Sequence, residues 1–146
     1  MSETLTLSAE LRRIVEARMD QVLRGVDEVF NEIIESQKVT PSELKKEIDS
    51  LQERFNLLFQ KWSLEILYTL LLKNAIGFGE LKRTLSVNSR TLSDKLKMLQ
   101  KNGYITRDVS SGPPLRVEYS LTRKGKDTAL LGLPLLYYSS KSETKA

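Results

Sequence analysis

Apolar residues recur every three or four positions through the first quarter of the chain. This spacing continues from Ser8 to about Gln37 and predicts a long helix with one broad apolar face. Gly25 interrupts the pattern at a cost of roughly 1 kcal/mol relative to alanine, which the packing of so many apolar residues should override. The apolar face comprises Leu11, Val15, Met19, Val22, Val26, Val29 and Ile33, widened by Ile14, Leu23, Phe30 and Ile34.

A second helix is predicted to begin at Pro41. Thr40 supplies a capping hydroxyl, Pro41 suits the first helical position because it lacks an N–H group, and Glu43 can bond back to the cap. Behind this start, apolar residues with a 4-3-4-3-4 spacing form a heptad pattern, which favours pairing with another helix. The heptad positions are Leu44, Ile48, Leu51, Phe55, Leu58 and Trp62.

The two predicted helices could pair within one chain as a hairpin or between two chains as a dimer interface. The dimer is favoured, because two helices within residues 1–60 have too little core to be stable alone. The residues predicted to dimerise are Leu11, Val15, Val22, Val26, Val29, Ile33, Leu44, Ile48, Leu51, Phe55 and Leu58.

Three further helices or helical turns are predicted after residue 61. Residues 62–72 are apolar on most faces, which predicts a buried helix, and residues 78–85 form a short amphipathic helix. A tight connection at residues 86–88 follows, and Ser89 is predicted to cap a third helix over residues 90–102. Gly103 should end that helix in the left-handed conformation. Two helices joined by a short turn are a candidate helix-turn-helix.

Two segments with strand periodicity follow this candidate helix-turn-helix. Residues 104–109 and 116–121 alternate between apolar and polar, and a turn at residues 110–114 separates them. A final helix is predicted from Thr122, shortened by Gly132 and Pro134. The order predicts a mainly α fold with a small β-hairpin, a winged helix-turn-helix preceded by long dimerisation helices. We expect a helical region at residues 1–60, a winged-helix domain at 61–138 and a flexible tail at 139–146.

The charge is distributed unevenly along the chain. The net charge is +4, but residues 1–60 carry 8 basic and 12 acidic residues, whereas residues 61–146 carry 15 basic and 7 acidic residues. Because lysine and arginine displace condensed counterions from phosphate backbones, the second part is the half expected to meet a polyanion. Charge alone is equally compatible with a solvated surface.

The chain has no cysteine and no histidine. This excludes thiolate and imidazole metal sites, disulfides, and Ser-His or Cys-His nucleophile pairs. We therefore expect no enzyme, no metal site and no cofactor. The longest apolar stretch, residues 129–138, is much shorter than the roughly 20 residues that span a bilayer, and the first residues do not resemble a secretory signal. A cytoplasmic protein with no membrane partner is expected.

Several linked segments resemble the HxlR-type winged-helix transcription regulators. The resemblance is carried, in order, by residues 61–67 (KWSLEIL), 78–81 (FGEL), 89–99 (SRTLSDKLKML) and 113–125 (PPLRVEYSLTRKG). It implies a dimeric DNA-binding regulator related to the MarR-like group, whose third helix enters the major groove. Family members often carry a sensing cysteine just before the Lys-Trp pair, where this chain has residues 57–60 (LLFQ), so thiol sensing does not carry over. The helical segment before residue 61 is also longer than is usual in the family.

The third predicted helix has a polar face suited to DNA. Leu92, Leu96 and Leu99 share one face, which places Arg90, Asp94, Lys97 and Lys101 on the opposite face, with Thr91 and Met98 beside them. An arginine at the helix start can bind guanine, whereas Lys97 and Lys101 suit phosphates. Asp94 could accept from cytosine or only complement the helix dipole.

The predicted hairpin presents two arginines. Gly112, Pro113 and Pro114 should stiffen its tip, so that Arg116 can enter a minor groove, with Arg107 across the ribbon; alternatively, Arg116 pairs on the surface with Glu118 or Asp108. The full set of candidate DNA-binding residues is Ser89, Arg90, Thr91, Asp94, Lys95, Lys97, Lys101, Arg107 and Arg116.

The sequence therefore predicts a sequence-specific regulator of transcription that binds double-stranded DNA as a homodimer. The alternative is a winged-helix adaptor that binds proteins and not specific DNA, which the salt dependence of DNA binding would separate. A small-molecule effector is left open.

Overall fold

Six helices and a three-stranded sheet form the fold in the computed structural model, which describes residues 8–140. The elements are α1 (Ala9–Gln37), α2 (Pro41–Leu58), α3 (Ser63–Lys73), β1 (Ala75–Gly77), α4 (Phe78–Leu85), α5 (Ser89–Lys101), β2 (Ile105–Ser110), β3 (Arg116–Leu121) and α6 (Arg123–Ser140). The chain divides into two units. The first comprises the chain up to Gln52 together with the chain from Tyr137, and the second is Glu53–Leu136.

The first unit begins with two helices whose starts follow local capping rules. The Ser8 hydroxyl accepts a hydrogen bond from the Leu11 backbone N–H at 3.2 Å. At α2 the Glu43 N–H donates to the Thr40 hydroxyl at 3.3 Å, and the Thr40 N–H donates to a Glu43 carboxylate oxygen at 3.0 Å. The predicted capping box at Pro41 is confirmed.

The apolar faces of α1 and α2 are largely uncovered in the single chain. No residue of α1 is buried, and Val26, at the middle of its apolar face, is 56% exposed. The exposed members of the predicted dimerisation set are Leu11, Val22, Val26, Val29, Ile33, Leu44, Ile48, Leu51 and Phe55, and Val15 is half-buried. Leu58 differs, because it is buried in the core of the second unit and is unavailable to a second chain.

The end of α6 is tied to α1 within the first unit. The Tyr138 hydroxyl donates to an Asp20 carboxylate oxygen at 2.8 Å. This hydrogen bond, together with desolvation and the charge of Asp20, raises the pKa of Tyr138 to about 12. The pKa rises because a phenolate beside the Asp20 carboxylate would bring two negative charges together.

The core of the second unit forms between the helices and the sheet. Its fully buried apolar side chains come from the inward faces of α3, α4 and α5 and from strands β1 and β2. They are Ile66, Leu67 and Leu70 of α3, Leu81 of α4, Leu92, Leu96 and Leu99 of α5, and Ile76 and Ile105 of the sheet. The inward face predicted for the third helix is thereby confirmed.

The sheet is antiparallel with strand order β1-β3-β2. Tyr119 in the central strand pairs with Ile76 on one side and with Arg107 on the other, and Arg116 pairs with Ser110. The sequence predicted only the β2–β3 hairpin. Because β1 has three residues, it is too short to show an alternating pattern.

Trp62 does not continue the heptad of α2, so that part of the prediction is wrong. The helix ends at Leu58, and Trp62 adopts a left-handed backbone with φ of 78° immediately before α3. Its ring packs half-buried against the core of the second unit, and its backbone N–H donates to Glu65 at 3.1 Å. Because the left-handed backbone interrupts the helical repeat, the 4-3-4-3-4 spacing no longer places this ring on the apolar face of α2.

Gly132 and Pro134 do not shorten the final helix, which continues to Ser140. A proline inside a helix removes one hydrogen bond and costs about 3 kcal/mol. Gly132, however, lies against the Tyr68 phenol, whose hydroxyl donates to the Ala129 carbonyl oxygen at 2.8 Å. These contacts pack the segment before Pro134 against α3. Of the predicted tail, Ser139 and Ser140 belong to α6, and residues 141–146 lie outside the described residues.

No helix among residues 8–140 is long and apolar enough to cross a membrane.

Candidate nucleic-acid interface

Helices α4 and α5 form the predicted helix-turn-helix, with a different cap from the one expected. The Asn88 side chain accepts from the Thr91 N–H at 2.8 Å, and Ser89 is the first helical residue. The prediction that Ser89 caps α5 is therefore wrong. Both residues are good caps, and the side-chain carbonyl of Asn88 lies at the position that reaches the free N–H groups of the first turn.

The outer face of α5 presents the predicted polar residues to solvent. Arg90, Asp94, Lys97 and Lys101 are exposed, as is Ser89, and Thr91 is half-buried. Lys95 lies on the flank of the helix, where its ammonium donates to the Gln60 side-chain oxygen at 2.8 Å. Four of the five charged candidates on this helix thus point away from the core.

The basic residues of this face are not neutralised by ion pairs within the part of the chain that is described. The ion pairs between residues 8 and 140 are Lys45–Asp49 and Arg123–Asp127. Arg90, Lys97 and Lys101 are absent from both pairs. Their charge is therefore available to an external anion.

A hydrogen-bonded junction holds the C-terminal end of α5. Gly103 has φ of 82°, confirming the predicted left-handed stop. The Thr122 hydroxyl donates to the Gly103 carbonyl oxygen at 2.6 Å, and the Lys124 ammonium donates to the Asn102 carbonyl oxygen at 2.8 Å. Lys124 also lies 4.5 Å from the centre of the Tyr104 ring, a cation–π distance. The start of α6 thereby fixes the end of α5.

We call β2, β3 and the connecting residues 111–115 the wing. Arg107 lies directly opposite Tyr119, and directly paired residues project from the same face of a sheet. Arg116 follows the alternation of Glu118, so it projects from the other face. The two arginines of the wing therefore project from opposite faces of the β2–β3 ribbon. Arg116 is in neither ion pair of the described residues, and its backbone carbonyl accepts from the Ser110 hydroxyl at 3.4 Å.

The structure also brings together residues that the sequence did not single out. Ser93 and Gln100 line a recess with Lys97 of α5 and Arg107 of the wing. Lys82 and Arg83, in the last turn of α4, line a second recess beside Ser89. A helical projection puts Ser93 and Gln100 on one side of α5, but no sequence pattern shows which strand lies beside that side.

Comparison with known proteins assigns a family to this arrangement. A model of the HxlR-like helix-turn-helix family matches residues 57–135, which is more than half of the chain. The chain belongs to the HxlR-like helix-turn-helix family. The resemblance seen in the sequence is confirmed, and so is the fold class.

The relatives of this HxlR-like chain are regulators of transcription. It is 42% identical over 72 residues to the uncharacterized HTH-type transcriptional regulator YdzF of Bacillus subtilis, covering 49% of this chain and 66% of YdzF, just under two thirds. It is 36% identical over 95 residues to YvaP, an uncharacterized regulator of the same organism, covering 64% of this chain and 83% of YvaP. This HxlR-like chain is accordingly a DNA-binding transcription regulator and not an enzyme.

Solved structures show the same winged-helix fold. A MarR-family regulator from Enterococcus faecalis has 28% identity and a TM-score of 0.57, covering 64% of this chain and 84% of that chain. Reduced YodB from Bacillus subtilis has a TM-score of 0.56 and covers 74% of this chain and 99% of YodB. Because its identity is 24%, the YodB likeness shows the fold alone.

Proposed function

We propose that this HxlR-like regulator binds a specific double-stranded DNA site as a homodimer, with α5 in the major groove and the wing beside it. The observation that carries the proposal is the exposed basic face of α5, held at one end by the Asn88 cap and at the other by the Thr122–Gly103 hydrogen bond. A rigid helix is needed because base readout depends on fixed side-chain positions.

Seven of the nine candidate residues have the roles given below, and the other two, Lys97 and Arg107, supply positive charge between α5 and the wing. Arg90, in the first turn of α5, reads guanine through its O6 and N7 acceptors. Lys101 binds a backbone phosphate, and Arg116 enters the minor groove or binds its edge. Asp94 lies in the second turn of α5, beyond the first turn where the helix dipole acts, so its role here is to accept a hydrogen bond from cytosine N4. Ser89 and Thr91, in the first turn, hydrogen-bond to the DNA backbone. Lys95 contributes positive charge from the flank.

The dimer is proposed from the uncovered faces of α1 and α2. A continuous series of exposed apolar residues is rare on a monomeric protein and marks an interaction surface. The occupant we propose is a second copy of this chain, because the heptad pattern of α2 is self-complementary in sequence. Two-fold symmetry then places two α5 helices about 34 Å apart, or a multiple of this distance, on a pseudo-palindromic site. We also propose a cytoplasmic location, because YdzF and YvaP come from a bacterium, whose genome lies in the cytoplasm.

A footprint on the genomic DNA that flanks the gene tests this proposal. The full-length protein should protect one pseudo-palindromic segment, and Arg90→Ala should lose that protection while still coating DNA at low salt. Lys45→Ala, in α2 and outside the candidate DNA-binding set, is the matched control and should leave the footprint unchanged. Uniform coverage with no protected segment would contradict sequence-specific binding.

A further inference from the structure

A recess of about 510 Å³ lies between α5 and the wing. We call it the helix–wing recess, and its lining residues are Phe78, Ser93, Lys97, Gln100, Arg107, Val117 and Tyr119. Its two cations come from different elements, since Lys97 belongs to α5 and Arg107 to β2. The sheet register explains their convergence, because Arg107 shares a face with Tyr119, a buried residue of the wing.

The recess has the charge and chemistry of an anion site. Its lining contains two cations, two neutral polar side chains and three apolar or aromatic side chains, and no acidic residue of the described chain belongs to it. The acidic neighbour of Arg107 in the sequence, Asp108, projects from the other face of the wing. Two like charges beside an apolar floor repel each other, and a bound anion relieves this repulsion.

We propose that the helix–wing recess binds one phosphate group of the DNA backbone, held jointly by Lys97 and Arg107. This inference rests on the proposed function. Arginine can donate two parallel hydrogen bonds to a phosphate, while lysine acts as a point charge. Ser93 and Gln100 can donate further hydrogen bonds from α5. The phosphate is that of a duplex because the recess is continuous with the exposed Arg90, Lys97 and Lys101 face.

If Lys97 and Arg107 bind the same phosphate, the recess positions the protein on the DNA. A phosphate held between α5 and the wing sets the register of both on the duplex, whereas base identity is read elsewhere. Loss of the recess should therefore weaken binding to all sequences. Because one phosphate serves two cations, the effects of removing Lys97 and Arg107 should not be independent.

Single neutral methylphosphonates, placed in turn along the duplex identified by footprinting, test the proposal. At one position in each half-site the substitution should weaken wild-type binding about tenfold, as expected for a lost charged hydrogen bond. The same substitution should have no further effect on the Lys97→Met/Arg107→Met variant. Lys101→Met, on α5 but outside the recess, should remain sensitive at that position. Lys97 and Arg107 are both exposed, so the thermal unfolding temperature of each variant should match that of the wild type.

The salt dependence gives a second readout. The slope of log K against log salt should fall by about one per half-site in the Lys97→Met/Arg107→Met variant, and by about two in Lys97→Met/Lys101→Met/Arg107→Met, because the third cation serves a separate phosphate. Inorganic phosphate, compared with chloride at matched ionic strength, tests for a free anion as the ligand. Displacement of DNA by inorganic phosphate from the wild type but not from the double variant would also support the recess as a phosphate site.

Three results would overturn the inference. In the first, the wild type binds duplex DNA with a steep salt dependence, but no methylphosphonate position loses its effect in the double variant. This result refutes phosphate binding in the recess and leaves the proposed function intact. Binding of inorganic phosphate in the recess without any sensitive methylphosphonate position shows that the ligand is a free anion. Absence of any duplex binding by the wild type at low salt refutes the proposed function and the recess together.

Discussion

Arg90 is the residue on which sequence discrimination depends in this account. It is exposed in the first turn of α5 and takes part in neither ion pair of the described residues. Lys101, three turns later on the same exposed face, offers a comparison, because a lysine can neutralise a phosphate without reading a base. Substitution of Arg90 should therefore change mainly the specificity for one DNA sequence, whereas substitution of Lys101 should change the affinity for all sequences.

Replacing Arg90 by alanine should lower the discrimination between the specific site and unrelated DNA by about 1–3 kcal/mol, because a bidentate contact to guanine is lost. Competition binding with both duplexes measures this difference. Lys101→Ala is the control, and it should weaken both duplexes alike while lowering the salt slope by about one per half-site. If Arg90→Ala weakens both duplexes equally, Arg90 contacts only the backbone.

Asn88 is the residue on which the start of α5 depends. Asn88→Ala removes the acceptor for the Thr91 N–H and should lower the free energy of unfolding by about 1 kcal/mol. Ser89→Ala should change it by less than about 0.5 kcal/mol, because Ser89 is an exposed helical residue. Urea unfolding at a fixed protein concentration measures both values. A larger loss for Ser89→Ala than for Asn88→Ala would restore the cap predicted from the sequence.

Individual residues were predictable wherever a local rule decided their role. The Thr40 capping box and the left-handed Gly103 follow from side-chain chemistry within a few residues. The cap of α5 was not decided in this way, because Asn88 and Ser89 are adjacent and both suit the position. The recess residues Ser93 and Gln100 were missed, because their role depends on a strand that lies close only in the folded chain.

At the scale of elements, the junction between α5 and α6 determines how the recognition helix is held. The first turn of α6 approaches the Tyr104 backbone so closely that a side chain at Gly125 would overlap the Tyr104 carbonyl oxygen. Thr122 links the two helices from the same position, since its hydroxyl donates to Gly103 and accepts from the Gly125 N–H at 3.0 Å. Gly125 is therefore required by packing.

Gly125→Ala should lower the free energy of unfolding by about 1–3 kcal/mol, because the added methyl group forces the backbones of α6 and Tyr104 apart. Chemical denaturation measures the loss. Gly112→Ala, at the wing tip, is the matched control, since no atom lies within 4 Å of the added carbon. It should change stability by less than about 0.5 kcal/mol. Equal stability of the two variants would mean that the junction can open without cost.

The elements themselves were predictable to different degrees. Helices α1 and α2 follow from strong periodicity, and α4 and α5 from periodicity joined by a short turn. Strand β1 is stabilised by pairing with β3 and carries too few residues for a pattern. Helix α6 continues past Pro134, where local rules predict a stop, and the segment before the proline contacts Tyr68, which is far away in sequence. Tertiary contacts thus decided the elements that local rules did not.

At the scale of the whole molecule, the uncovered faces of α1 and α2 set the assembly. Val26→Glu should convert the dimer into a monomer, because it places a charge in the middle of an apolar interface. Light scattering should give a mass near twice 16.7 kDa for the wild type and near 16.7 kDa for the variant. The protomer itself should fold normally, since Val26 is exposed in it.

Leu115→Glu is the control for this change in mass. Leu115 is 70% exposed at the wing tip, outside the proposed interface, so its substitution should leave the mass unchanged. Deletion of residues 1–40 should also abolish the dimer and weaken operator binding strongly, because only one half-site is then held. A wild-type monomer at micromolar concentration would contradict the proposed assembly.

We propose that the basic face of α5 and the wing bind duplex DNA through its backbone phosphates. Fluorescence anisotropy of a labelled duplex, titrated with the wild-type protein over a range of salt concentrations, tests it most directly. If Lys101, Arg116 and the helix–wing recess each neutralise one phosphate charge, a protomer neutralises three, which predicts a slope of about −5 for the dimer in a plot of log K against log salt. No binding at low salt, or an affinity independent of salt, would contradict the claim.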